Sequence, residues 1–111
     1  MNIFMVRDGV LVTPPVTDNI LEGITRRSVM ELARNELGLN VVERSIDRTE
    51  TFICEEMFMT GTAAGITAVT KIDHRPVGMG TMGPVTTKLR MLYDEILYGR
   101  NKKYEHWNVV V

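Results

Sequence analysis

The sequence has 111 residues, 44% of them hydrophobic and 24% charged, with a formal net charge of −1 at pH 7. That length suits one domain over residues 1–111 rather than two, and the balance excludes disordered, collagen-like and coiled-coil compositions. A charge near zero offers no basic field for nucleic acid or an anionic membrane surface, and no apolar run approaches the roughly 20 residues that span a bilayer.

Met1-Asn2-Ile3-Phe4-Met5 has neither the basic lead nor the long apolar run of a secretory signal. Cys54 is the single cysteine, so no internal disulfide framework exists and a reducing cytoplasm is the expected setting. Asn2 to Val6 reads as a strand. Asp8-Gly9 between apolar runs is a hairpin signal, and Val10 to Thr13 is the return strand, ended by Pro14-Pro15. A chain that opens inside a hairpin hints at something missing upstream.

Asp18 is a candidate cap for a short turn over Asn19 to Glu22, with the main helix expected from Gly23-Ile24-Thr25. Thr25, Val29, Leu32 and Ala33 have the spacing of a buried stripe, while Arg26, Arg27, Glu31 and Arg34 mostly face elsewhere. Gly38 is placed to end that helix in a left-handed conformation. Val41 to Ile46 reads as a strand. Asp47 and Glu50 have capping-box spacing, which predicts a short helix to about Glu56 carrying Cys54 as a small core residue. Met57 to Thr60 is a short strand, and Ile66 to Ile72 alternates as another. Asp73-His74 marks a turn and Arg75 to Gly83 a glycine-rich loop. A last helix starts at Pro84, with Val85, Leu89, Leu92 and Ile96 as its stripe and Gly99 as its stop. The tail from Lys102 has no clear assignment.

Two segments suit an anion. In Leu21-Glu22-Gly23-Ile24-Thr25-Arg26, free backbone N–H groups at a helix start, the positive dipole end and the Thr25 hydroxyl suit a phosphate. In Thr60-Gly61-Thr62-Ala63-Ala64, small residues after a strand let a ligand approach the backbone, and successive amides can form an anion-binding concavity. Each also reads as ordinary structure: a plain helix start, and a tight crossing that only small residues fit. Together they suit a dianionic ligand better than either does singly. Gly78-Met79-Gly80-Thr81-Met82-Gly83 matches G-x-G-x-x-G, but Arg75-Pro76 stands where the buried strand is needed, so it reads as a loop. His74 and His106 have no second ligand at metal-binding spacing. Ser28 and Ser45 have no nearby histidine for a nucleophile triad. Lys102-Lys103 with Tyr104 and Trp107 reads as a solvated surface segment rather than a nucleic-acid tail.

Taken in order, Asn2-Ile3-Phe4, Asp8-Gly9, Thr13-Pro14-Pro15, Ile20-Leu21-Glu22-Gly23-Ile24-Thr25-Arg26, Val42-Glu43-Arg44, Thr60-Gly61-Thr62-Ala63-Ala64 and Gly83-Pro84-Val85-Thr86 resemble the C-terminal part of class IV (fold-type IV), pyridoxal phosphate-dependent branched-chain amino acid aminotransferases. The resemblance implies a mixed α/β fold, the large C-terminal domain of the D-amino acid aminotransferase-like fold, with a mixed sheet and flanking helices. It implies amino-group transfer from Leu, Ile or Val to 2-oxoglutarate through pyridoxal phosphate, in a homo-oligomer. By the same resemblance Gly23, Ile24 and Thr25 hold the cofactor phosphate with Thr62, Leu21 packs beside the pyridine ring, Gly61 admits the backbone, and the amides of Thr62 and Ala63 face the substrate carboxylate. The family's cofactor-binding lysine and the glutamate that pairs with the pyridine nitrogen lie upstream of Asn2, so this piece is expected to be inactive alone. Lys71, Lys88, Lys102 and Lys103 do not match the lysine position. Gly65 and Ala68 stand where many relatives carry glutamate and proline. Two other readings remain: a non-catalytic anion- or partner-binding domain, and a D-amino acid transaminase or aminodeoxychorismate lyase relative.

Overall fold

The computed structural model describes residues 2–15, 20–61, 65–72 and 74–97, with the backbone alone for 20–24 and 97. β1 (Asn2–Arg7) and β2 (Val10–Thr13) form an antiparallel hairpin. Its two turn residues, Asp8 and Gly9, both have positive φ, 51° and 76°. That left-handed pair gives a two-residue turn the twist of its flanking strands. α1 (Ile20–Leu37) then crosses over to β3 (Asn40–Glu43), which lies parallel to β2. A 3₁₀ turn over Arg48–Phe52 leads to β4 (Glu56–Gly61), antiparallel to β1, and β5 (Gly65–Ala68) pairs antiparallel with β4. The result is a mixed five-stranded sheet in the order β3-β2-β1-β4-β5, with a separate two-stranded ladder of β6 (Lys71–Ile72) and β7 (Arg75–Pro76). α2 (Pro84–Leu97) ends the described chain.

Alternation in the strands divides the core. Phe4, Val6, Leu11, Phe58 and Ile66 face the helices and pack with Val29, Leu32 and Ala33 of α1 and Leu89, Leu92 and Ile96 of α2. Phe4 and Phe58 are direct cross-strand partners whose rings stack at 5.0 Å. Burying a side chain of that size stabilises by roughly 1.5–3 kcal/mol. On the other face Met5, Val12 and Met57 pack with Cys54 and Val77. The expected stripes of both helices therefore face the core, with Val85 at the start of α2 only partly buried.

The local stop signals also hold. Gly38 has φ +64°, and just past it the Leu39 amide donates back to the Ala33 carbonyl at 3.1 Å, closing the end of α1. Pro84 is the first residue of α2.

Five boundaries differ from expectation. α1 is continuous from Ile20, so Gly23 sits inside the helix; its propensity penalty of about 1 kcal/mol is small beside the packing of the stripe that follows. Asp18 and Asn19 lie outside the described residues. β3 stops at Glu43, opposite the end of β2 at Thr13, and the Arg44 amide makes the last bond to the Thr13 carbonyl before Pro14-Pro15. The helix expected to Glu56 is a 3₁₀ turn ending at Phe52, and Cys54 lies just past it with its amide on the Glu50 carbonyl. Ile66 to Ile72 is split, since the Val69 amide still donates to Met57 while the chain then leaves the sheet for β6. Arg75-Pro76, expected within the loop, pairs with β6. Gly99 and the tail from Lys102 lie outside the described residues.

Candidate functional site

The strand registers bring the ends of several elements to one edge of the sheet. Asn2 of β1 is opposite Thr60 of β4, Gly61 is opposite Gly65 of β5, and Thr13 of β2 is opposite Glu43 of β3. The Thr13 hydroxyl donates to the Ile3 carbonyl at 2.8 Å, which ties β2 to the first residues of β1. β2 then stops at Thr13-Pro14-Pro15, and the Pro14 carbonyl accepts from Arg26 Nη2 at 2.9 Å. Arg26 Nη2 also stands 3.3 Å from Glu43 Oε1. The start of α1 is thereby fixed over the same edge that Thr60 and Gly61 close.

Arg26 is the residue that sequence reasoning misplaced. Its position beside the stripe predicted a face turned elsewhere, yet it is 4% exposed. Thr25, expected in the stripe, is equally buried. Thr60 shares the face of β4 with Phe58, beneath the helices, and is 1% exposed. Two buried polar atoms at this edge, Arg26 Nε and Thr60 Oγ1, have no hydrogen-bond partner. A buried polar atom left unpaired costs about 1–3 kcal/mol, so these two are positions where an added acceptor is favourable.

The predicted site residues divide accordingly. Thr25 and Gly61 come to this edge, with Gly61 buried at the end of β4. Leu21, Gly23 and Ile24 lie within the first turns of α1, and their side chains are outside what is described. With α1 starting at Ile20, the orphan amides of the first turn are those up to Glu22 or Gly23. Thr25 is then left with its hydroxyl as its contribution. Thr62 and Ala63 lie outside the described residues.

At the opposite edge the start of α2 is closed by the chain itself. Glu56, 6% exposed on β4, accepts the Val85 amide at 3.1 Å and the Thr86 amide at 2.8 Å. A Cβ on Gly83 would stand 2.2 Å from Glu56 Cδ, so Gly83 is what leaves room for this carboxylate. This explains Gly83-Pro84-Val85-Thr86 structurally: glycine for clearance, proline at the first helical position, and two amides for the acid. No local sequence signal pairs Glu56 with a helix that starts 28 residues later.

The remaining candidates carry other roles. On the face opposite the helices, Arg7 and Arg44 both bond the Glu50 carboxylate, and Glu50 also accepts the Asp47 amide at 3.1 Å. The Arg44 guanidinium foremost, then the Asp47 amide and Arg7, hold Glu50 well below the ordinary carboxylate range, at about 2. A cavity of about 260 Å³ beside them is lined by Arg7, Asp8, Val10, Val12, Val42 and Arg44, but its two guanidiniums are engaged by Glu50. Burial pushes the Cys54 thiol up, away from the reactive thiolate. Gly78 and Gly80 have φ +56° and +77° in a turn after β7, which is the loop geometry expected for the 78–83 motif. Among the described residues no three His, Cys, Asp or Glu side chains stand together to hold a metal ion, and no helix is long and apolar enough to cross a membrane.

Comparison with known proteins adds the family context. The family model described as amino-transferase class IV matches residues 1–72. A probable branched-chain-amino-acid aminotransferase of Aquifex aeolicus is 42% identical over 106 residues, 96% of this chain and 34% of that protein. The branched-chain-amino-acid aminotransferase of Pseudomonas aeruginosa is 43% identical over 110 residues, 99% of this chain and 35% of that protein. The crystal structure of the branched-chain amino acid aminotransferase from Thermobaculum terrenum in its holo, PLP-form superposes with a TM-score of 0.87 at 48% identity, over 96% of this chain and 34% of that one. The chain spans about a third of the length of the relatives it matches.

Proposed function

This chain belongs to the amino-transferase class IV family, and we propose that it supplies the phosphate-holding part of a pyridoxal phosphate-dependent branched-chain amino acid aminotransferase. The observation that carries the proposal is the edge where α1 starts and β4 ends, with Arg26 Nε and Thr60 Oγ1 buried there without partners. A phosphate placed there gains the positive end of α1, its first-turn amides and the Thr25 hydroxyl. We assign Leu21, Gly23 and Ile24 of the first turns of α1, Gly61 at the end of β4, and Thr62 to this cup. The amides of Thr62 and Ala63 are assigned to the substrate carboxylate on the resemblance alone. When bound, pyridoxal phosphate supplies the electron sink that lets an amino group pass from Leu, Ile or Val to 2-oxoglutarate. The residues assigned to the cup bind and orient that group; none of those residues moves the proton. Lys71 lies in β6 and Lys88 lines an apolar cavity with Leu37, Leu39, Pro84 and Val85 at the opposite edge. Neither of these described lysines is in the cup and no residue assigned to the cup is a lysine, so we propose that the chain alone binds cofactor without turnover.

Self-association belongs to the same reading. Ile3 and Val42, 39% and 41% exposed on the face away from the helices, are apolar surface that a second chain would cover. Equilibrium dialysis with pyridoxal 5′-phosphate and with pyridoxal tests the main proposal. Binding of the phosphate ester alone, with no borohydride-reducible adduct and no transamination, is the expected result. Equal binding of both compounds, or of neither, overturns it.

A further inference from the structure

We infer that Arg26 is a positioning residue for the anion cup: its buried guanidinium straps the start of α1 to the ends of β2 and β3, and so sets where the α1 amides and the Thr25 hydroxyl stand relative to Gly61. The ligand in this inference rests on the reading just proposed; the strap does not.

The geometry is specific to arginine. Arg26 is 4% exposed, and a guanidinium so deeply placed is costly unless its donors are met. One nitrogen, Nη2, meets two acceptors from two different elements, the Pro14 carbonyl at 2.9 Å and Glu43 Oε1 at 3.3 Å. The Pro14 carbonyl is available because β2 has ended at Thr13, whose own carbonyl takes the Arg44 amide at 3.0 Å. The Thr13-Pro14 step therefore gathers β1, β3 and α1 at one point. Glu43 closes the pair from a half-exposed side chain, 45% accessible, and balances the charge only at its outer end. Nε stays buried and unbonded on the inner side. A rigid planar fork holds such a two-element contact, whereas an ammonium on a flexible stem does not fix the same direction. Arg26 adjoins Thr25, so a loosened strap displaces the hydroxyl proposed to hold phosphate. It also leaves a buried cation near the positive end of α1, where an anion is favoured.

The test uses the whole chain as Arg26→Gln and Arg26→Lys, with Glu56→Gln as the control that weakens the other helix start. Amide hydrogen exchange at residues 25–28, pyridoxal 5′-phosphate affinity and the melting midpoint are measured on each. Arg26→Gln is expected to speed exchange at 25–28 and to weaken binding roughly tenfold or more, the usual size for losing a residue that orients a binding group. Arg26→Lys should recover part of the affinity and little of the protection. Glu56→Gln should lower the midpoint while leaving exchange at 25–28 and affinity unchanged. Should Arg26→Gln fail to fold, Glu43→Gln carries the same expectations at smaller size. Unchanged exchange at 25–28 in Arg26→Gln, or an equal loss of affinity in Glu56→Gln, overturns the inference. A wild-type chain that binds no pyridoxal 5′-phosphate sinks the cup instead, and the exchange data still decide the strap.

Discussion

The two helices start at opposite edges of one sheet, and their starts are handled in opposite ways. At α2 the chain brings its own anion: Glu56 takes two amides, and Gly83 is cleared to admit it. At α1 the chain brings a cation, Arg26, and leaves Nε and the Thr60 hydroxyl without partners. The Thr86 hydroxyl at the α2 edge is also buried and unbonded. An orphan hydroxyl by itself therefore does not mark a site. What separates the edges is the sign of the charge placed beside the helix start. A helix end that already holds a carboxylate has no place for a phosphate, while one flanked by a buried guanidinium does.

The comparison can be strained from beneath or from either edge. Phe58→Ala removes the ring under both helices and should cost about 3–5 kcal/mol in chemical denaturation, lowering both edges together. A loss confined to exchange protection at one edge would show that they fold independently. Glu56→Ala leaves two amides unpaired at α2 and should cost about 1–3 kcal/mol. Gly83→Ala, which drives a Cβ into the same carboxylate, should destabilise as well. Combined with Glu56→Ala it should add little, because the clash disappears with the acid. Full additivity would break the account of Gly83.

The smallest expected effect concerns Glu50, which touches neither helix start. Its carboxyl is held at about 2 by Arg44, the Asp47 amide and Arg7. A depressed folded-state value means this group adds stability above the ordinary carboxylate value, and that contribution disappears as pH falls toward 2. Glu50→Gln should therefore flatten the acid side of the stability curve between about pH 5 and 2, with phosphate binding unmoved. An unaltered acid limb would remove Arg7 and Arg44 as its cause.

Local chemistry was legible in the sequence because each signal and its effect lie within a few residues. Asp8-Gly9, Gly38 and Pro84 each set a backbone conformation that the neighbouring residues cannot override. The Thr25-Val29-Leu32-Ala33 stripe follows from helical period alone. Arg26 was not legible, since its partners Pro14 and Glu43 come from strands on either side of α1 and only folding brings them together. Glu56 was hidden for the same reason, its amides lying 29 and 30 residues away. The 3₁₀ turn shows the intermediate case. The Asp47 and Glu50 spacing marks a start, but Glu50 bonds two distant arginines, and this local signal could not say where the turn would stop.

Amide chemical-shift mapping during titration of the chain with pyridoxal 5′-phosphate tests the contrast between the edges most directly. The account predicts shifts at Thr25, Arg26, Thr60 and Gly61, with Val85 and Thr86 unmoved. Shifts centred on Val85 and Thr86, or spread evenly over both helix starts, would contradict it.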